Sequence, residues 1–129
     1  MKKYKITIAI LNYNRAEFLD RSIRSCINQD YFDKEIEILI IDDASTDKSN
    51  KIIEYFKKNY NCDLKYLKLK KNRGAGYCSR LAVEKSKGDF FIRVDSDDYI
   101  AKLAIETMSS ILINNPNLAY VYSDLTKIN

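Results

Sequence analysis

The sequence predicts an α/β chain built on a mostly parallel sheet with helices on both faces. Short, β-branched apolar runs alternate with amphipathic stretches of helical period, the pattern of successive βαβ units. The runs are nearly continuous in apolar residues, as expected of strands buried on both sides. Polar clusters fall directly after three of the runs, at the carboxyl ends of strands, where open α/β sheets take their ligands.

In chain order, Lys5 to Asn12 (KITIAILN) reads as a buried strand. Asn14 offers an N-cap to a helix over Ala16 to Asn28, with Phe18, Leu19, Ile23, Cys26 and Ile27 at helical spacing. Glu35 to Ile41 (EIEILII) is a second strand, ending at Asp42-Asp43. Ser45, Thr46 and Asp47 are cap residues for a helix running to about Lys58, with Ile52, Ile53 and Phe56 inward. Leu64 to Leu69 is a third strand. The run Lys65 to Lys71 places its lysines on one face, a common protection of an edge strand. After the loop Asn72-Arg73-Gly74-Ala75-Gly76, a helix spans Tyr77 to Lys87 and Gly88 stops it. Asp89 to Val94 is a fourth strand, Ala101 to Asn114 a helix ended by Asn115-Pro116, and Leu118 to Tyr122 a fifth strand. With no repeat, low-complexity tract or linker, residues 1–129 read as a single domain.

Composition narrows the function. At 129 residues, 46% hydrophobic and 31% charged, disorder is a poor fit. The first apolar stretch is too short for a signal sequence and no run reaches transmembrane length, which points to the cytoplasm. Cys26, Cys62 and Cys78 are odd in number and lack metal-type spacing, so they read as free thiols. Histidine is absent, which excludes His-ligated zinc or iron and a histidine general base. The net charge of +4 comes from scattered lysines and does not indicate a nucleic-acid partner.

The strongest chemical signal is Asp95-Ser96-Asp97-Asp98 after the apolar run Phe90 to Val94. Carboxylates crowded at the end of a buried strand repel one another and are partly desolvated unless cations or donors compensate. Hard divalent ions such as Mg²⁺ and Mn²⁺ are often held by one or two carboxylates plus substrate phosphates, so the segment reads as a metal–diphosphate site, the alternative being a solvated acidic turn that caps the next helix. In Asn12-Tyr13-Asn14-Arg15, the ring can stack on a nucleobase, the amides can hydrogen-bond and the arginine suits phosphate; the same residues also make an ordinary turn before a capped helix. Of Asp42 and Asp43, one is expected to accept a hydrogen bond from a base N–H such as N3 of uracil, the other to bind nearby backbone amides. The loop around Arg73 and Gly74 precedes a helix and can attract phosphate through its amides and dipole, with Arg73 or Arg80 within reach or simply solvated. Neither a P-loop pattern nor Gly-x-Gly-x-x-Gly after the first strand is present, which counts against ATPases and dinucleotide-dependent oxidoreductases.

Taken together, Ile-Ala-Ile-Leu-Asn-Tyr-Asn-Arg, Ile-Ile-Asp-Asp-Ala-Ser-Thr-Asp, Asn-Arg-Gly and Val-Asp-Ser-Asp-Asp resemble the family 2 glycosyltransferases of the GT-A fold, over essentially the whole chain. The resemblance implies an inverting transferase that uses a nucleotide-sugar, most often a UDP-sugar, with Mg²⁺ or Mn²⁺. It implies that Tyr13 stacks on or flanks the base and that Asp43 binds the uracil edge. Asp42 would be a structural or ribose-side neighbour. Asp95, Asp97 and Asp98 fall on the acidic motif, Asp97 and Asp98 contacting metal, ribose or diphosphate. The nucleotide-binding set is therefore Asn12, Tyr13, Asn14, Arg15, Asp42, Asp43, Arg73, Gly74, Asp95 and Asp97, and the metal set Asp97 and Asp98. Two departures stand out: Leu11 holds the place of a usual proline, and Cys78-Ser79-Arg80 stands where Ala-Arg-Asn is common.

Family members continue into an acceptor site with a carboxylate base. No carboxylate here is a convincing base, Asp124 being a remote candidate. The expectation is therefore a truncated donor-binding half, inactive alone, with the catalytic base unknown. Implied partners are the nucleotide-sugar, a glycan or lipid-linked acceptor in envelope polysaccharide synthesis, and a second copy pairing through the exposed sheet edge. The lysine, asparagine, isoleucine and tyrosine content fits AT-rich bacterial coding, and the expected location is cytoplasmic or peripheral at the inner membrane face. A non-catalytic nucleotide-sugar-binding or assembly module stays open. So does a sugar-nucleotidyltransferase, although Leu11 to Arg15 lacks the glycine-rich loop of that class.

Overall fold

The computed structural model describes residues 2–128. Its elements run β1 (Tyr4–Asn12), α1 (Ala16–Ile27), β2 (Lys34–Asp42), α2 (Ser49–Asn59), β3 (Asp63–Lys68), α3 (Ala75–Lys85), β4 (Phe90–Asp95) and α4 (Ala104–Asn114). The four strands form one parallel sheet in the order β3-β2-β1-β4. The two central strands are the most buried ones, and the lysine-faced β3 lies at an edge, as its pattern predicts.

Because side chains alternate along a strand, each central strand feeds two cores. Ile6, Ile8, Ile10, Ile38, Ile40 and Val94 pack with Leu19, Ile23 and Cys26 of α1, Ile53 and Phe56 of α2 and Ile105 of α4. Ala9, Leu11, Leu39 and Ile41 pack on the opposite face against Cys78 and Ala82 of α3. Helices thus cover both faces, and each fully buried isoleucine contributes roughly 1.5–3 kcal/mol. Cys26, Cys62 and Cys78 are free thiols.

The second core stops short of the amino-terminal end of the sheet, where Thr7 and Glu37 are buried instead of apolar residues. Glu37 accepts from the Thr7 hydroxyl (2.8 Å), the Lys87 amide (2.9 Å) and Lys65 Nζ (2.7 Å). Burial alone would raise its pKa, but these donors outweigh it and bring the carboxyl down to about 2. The lysine face of β3 is therefore partly spent on a buried carboxylate rather than on solvent.

Three local expectations are corrected. Leu118 to Tyr122 is not a strand: no neighbouring strand pairs with it among the described residues, and Tyr120 and Tyr122 are 75% and 82% exposed. β-propensity without a ladder partner does not make a strand. Gly88 does not end a helix in a left-handed conformation. α3 ends at Lys85 with Ser86 as its cap, and Gly88 is required by contact, since a Cβ there would lie 2.5 Å from the Thr7 nitrogen. α3 also starts earlier than expected, at Ala75, because Gly74 takes φ +90° and turns the chain into the helix.

Gly88→Ala is expected to lower stability by about 1–3 kcal/mol, seen as a lower urea midpoint at unchanged slope. A native midpoint would contradict the close approach of this loop to β1.

Candidate functional site

In-register parallel pairing sets Asn12 beside Asp42 and Leu11 beside Asp95, so three polar strand ends meet on one edge of the sheet. Asp42 is wholly buried and needs donors to keep its charge there. It receives them from Asn12 Nδ2 (2.7 Å), the Ser45 amide (3.1 Å) and the Ser45 hydroxyl (2.5 Å). Its main-chain oxygen accepts the Leu69 amide at 2.8 Å, anchoring the exit of β3. Asn12 is 2% exposed, and its Oδ1 has no partner among the described residues.

Asp43 points to the other face of the sheet, toward the glycine loop. Its oxygens accept the amides of Arg73 (2.6 Å) and Gly74 (2.8 Å), and it is 4% exposed. The expected division, one aspartate on a ligand and one on backbone amides, is thus modified. Both carboxylates hold framework, Asp42 with no open surface and Asp43 with acceptor capacity left beyond one N–H per oxygen. Ala44 between them and Ser45 lies at φ +65°, a left-handed conformation that costs a non-glycine residue about 1–2 kcal/mol. The Asp42–Ser45 hydrogen bonds keep it there.

The first two loops cap each other. Asn14 sits at φ +49°, which asparagine tolerates. Its Oδ1 accepts the amides of Thr46 (2.8 Å) and Asp47 (3.3 Å), while Asp47 accepts the Ala16 amide at the start of α1 (2.9 Å). The expected local caps are therefore replaced in part by exchanged ones. Asn14 serves the loop before α2, Asp47 serves α1, and Asp47 also accepts the Ser49 amide and hydroxyl at the start of α2. Burial would raise the Asp47 pKa, but these donors hold it below the ordinary carboxylate range. Tyr13, between the two framework residues Asn12 and Asn14, is 48% exposed.

The acidic turn closes the edge. The Ser96 amide bonds the Leu11 carbonyl at 3.0 Å and the Asp98 amide bonds the Asp95 carbonyl at 2.9 Å. Arg93, two residues back on the same face of β4, pairs with Asp95 at 2.9 Å and with Ser79 of α3 at 3.2 Å. Arg15 comes within 3.7 Å of Asp97, joining the first loop to the turn. Asp98 has no hydrogen bond or ion pair to its carboxylate among the described residues. Its pKa is raised, first by desolvation and then by the charges of Asp97 and Asp95, with Arg21 opposing.

The structure therefore brings the whole set named from sequence to one edge: Asn12 and Asp42 as buried framework, Asp43 as the link to Arg73 and Gly74, and Tyr13, Arg15, Asp97 and Asp98 at the surface. The guanidinium of Arg73 lies 4.4 Å from the Tyr77 ring centroid, a stack that presents an aromatic–cation pair beside Asp43. Arg80 pairs instead with Glu84 on the outer face of α3. Arg93 was missed from sequence, although its place two residues before Asp95 on the same strand face is a signal that could have found it. Arg21, whose guanidinium bonds the Asp97 carbonyl at 3.2 Å, gave no such signal, because nothing local links α1 to that turn. An open groove lined by Asn14, Arg15, Phe18, Asp47, Lys51 and Tyr55 runs between α1 and α2 but carries none of the acidic turn.

The donor chemistry fits a hard divalent cation. Among the described residues no three His, Cys, Asp or Glu side chains converge as a complete protein cage. Such an ion, however, needs only one or two carboxylates when phosphate oxygens complete its shell. Asp97 and Asp98 supply oxygen donors of that kind, and Asp98 is short of positive partners.

Comparison with known proteins follows the same lines. The sequence model of glycosyl transferase family 2 matches residues 7–124. The chain is 35% identical over 114 residues to an uncharacterized glycosyltransferase of Haemophilus influenzae, covering 85% of this chain and 43% of that protein. It is 30% identical over 109 residues to the poly(ribitol-phosphate) beta-N-acetylglucosaminyltransferase TarS of Staphylococcus aureus, covering 84% and 19%. The crystal structure of TarS residues 1–349 in complex with UDP superposes with a TM-score of 0.79 at 28% identity, covering 87% of this chain and 33% of that one. This chain thus spans less than half the length of either relative.

Because the Asp98 carboxyl sits above its ordinary pKa, the folded chain holds that proton more tightly than the unfolded one. Ionising it costs folding free energy, and the cost grows as pH rises through the carboxylate range. Asp98→Asn is therefore expected to raise the thermal midpoint of the ligand-free chain at about pH 7, with the gain gone at about pH 3. A variant less stable than native at neutral pH would make Asp98 framework instead.

Proposed function

Because the chain belongs to glycosyl transferase family 2, we propose that it forms the nucleotide-sugar-binding part of an inverting glycosyltransferase, with a UDP-sugar as donor and Mg²⁺ or Mn²⁺ at the acidic turn. The observation that carries this reading is the gathering of four loops on one sheet edge, with an exposed ring, Tyr13, and a carboxylate without a hydrogen bond or ion pair, Asp98, both left outside the hydrogen-bonded framework.

In this reading Tyr13 flanks the base, Asp43 takes its polar edge, and the Arg73–Tyr77 stack bounds the same side. Arg15 serves the diphosphate. Asp97 and Asp98 hold the cation, which when bound neutralises charge developing on the departing diphosphate. Asp95, tied to Arg93 and through it to Ser79, fixes the end of β4 against α3. The acceptor hydroxyl attacks the anomeric carbon and the nucleotide diphosphate leaves. The residue that removes the hydroxyl proton is not assigned to this chain.

UDP rather than another nucleotide is favoured by the TarS–UDP structure, and an envelope glycan as acceptor by the poly(ribitol-phosphate) named for TarS. A cytoplasmic or membrane-peripheral location belongs to the same proposal. So does self-association through the outer edge of β4, which is unpaired among the described residues.

Titration calorimetry of UDP with and without Mn²⁺ tests the reading. The native chain is expected to bind UDP more tightly with Mn²⁺, by about tenfold or more, and Asp98→Ala is expected to remove that gain while retaining metal-independent UDP binding. UDP binding indifferent to Mn²⁺ would overturn the assignment of the acidic turn.

A further inference from the structure

Residues 96–103 lie between β4 and α4 with no strand or helix ladder of their own, yet they carry Asp97 and Asp98. Backbone groups in such a segment need partners from elsewhere, and here they come from one line of side chains on α1. Arg21 Nη2 donates to the Asp97 carbonyl at 3.2 Å. Ser25 Oγ accepts the Ile100 amide at 3.2 Å while donating to the Ser22 carbonyl at 2.7 Å. Gln29, just past the helix end and only 6% exposed, donates to the Ala101 carbonyl at 2.7 Å and accepts the Ile105 amide at 3.0 Å. The Asp30 amide then bonds the Lys102 carbonyl at 2.9 Å.

The three side chains are four residues apart, so they fall on one stripe of the helix surface, beside the buried stripe of Leu19, Ile23 and Cys26. Arg21 adds a stack, its guanidinium 4.6 Å from the Tyr99 ring centroid and 5.8 Å from that of Phe18. Ile100 packs against the main core and Ile105 is part of it. The segment is thus held on both sides of the acidic pair, by side chains of the helix that starts directly after Tyr13 and Arg15 and by Gln29 just beyond its end.

We propose that Arg21, Ser25 and Gln29 are positioning residues that fix the acidic turn relative to the first loop, so that the carboxylates and the base-flanking tyrosine are presented as one rigid unit. The consequence for metal and nucleotide rests on the functional reading above. The mechanical claim rests on the hydrogen bonds alone. None of the three is a ligand in this scheme. Gln29 matters most, because it is itself buried and satisfies two backbone groups of the segment, the Ala101 carbonyl and the buried Ile105 amide.

Amide hydrogen exchange on the full chain, with Arg21→Lys and Gln29→Met, tests the proposal. Arg21→Lys keeps the charge and removes the planar fork, and Gln29→Met keeps approximate volume and removes the two hydrogen bonds to the segment along with a third to the Ser25 carbonyl. Exchange is read at Asp98 and Ile100, whose own acceptors, the Asp95 carbonyl and Ser25 Oγ, are unchanged by either substitution. Both amides are expected to exchange roughly five- to tenfold faster, the effect of losing about one net hydrogen bond. Ile8 and Ile40, in the central strands, are expected to keep native rates. Uniformly faster exchange, or none, would overturn the proposal, since a merely stabilising contact would loosen the chain as a whole. In a parallel calorimetric arm, the two variants are expected to lose Mn²⁺-dependent tightening of UDP while binding UDP alone as the native chain does. A native chain without such tightening would defeat the metal reading, and the exchange pattern would still decide the positioning claim.

Discussion

The hydrogen bond from Asn12 Nδ2 to the buried Asp42 carboxylate joins the carboxyl ends of the two central strands, and the geometry of the site depends on it. Parallel pairing in register places the two residues side by side. A buried carboxylate persists only where donors replace water. Asn12 and Ser45 supply them, and by doing so they hold Ala44 in its left-handed turn. That turn places Ser45 Oγ where it accepts the Asn14 amide at 2.9 Å, and so sets the first loop with Tyr13 at its tip. Taking away either partner would leave the other one hydrogen bond short in a buried place, with Ser45 as its remaining partner, a penalty of about 1–3 kcal/mol.

Strand periodicity explains why two adjacent aspartates do different work. Consecutive side chains on a strand face opposite sides of the sheet, so Asp42 meets the Asn12–Ser45 side, and Asp43 the loop that opens α3. One dipeptide thereby couples loops that lie on the two faces of the sheet. At the far end of the same strands, Glu37 does comparable structural work with Thr7, Lys65 and the Lys87 amide. Buried carboxylates therefore close both ends of the α3-facing core, and the carboxylate left short of donors, Asp98, lies at the exposed acidic turn.

Much of this was legible in the sequence. The parallel α/β architecture follows from apolar runs bounded by polar clusters, the edge position of β3 from its lysines, and the site's location from where the polar clusters fall. What escaped sequence reading was long-range. Asn14 and Asp47 exchange caps across two loops, which local capping rules cannot anticipate. Gly88 is required by contact with β1 rather than by a helix end. The Leu118 to Tyr122 segment has strand composition, but strand formation depends on a partner that composition does not reveal. The Arg21–Ser25–Gln29 stripe is visible as a four-residue spacing, yet its meaning comes only from the backbone packed against it.

The proposed function requires four separated loops to form one metal–nucleotide site on a single sheet edge. Paramagnetic broadening of backbone amide signals by Mn²⁺ in the presence of UDP tests it most directly. The amides of Ser96 to Tyr99 are expected to broaden first, accompanied by UDP-dependent shifts at Tyr13 to Arg15, Ala44 to Thr46 and Arg73 to Gly76. Broadening centred elsewhere, for instance around Glu37 at the opposite end of the sheet, or UDP shifts confined to the groove between α1 and α2, would contradict it.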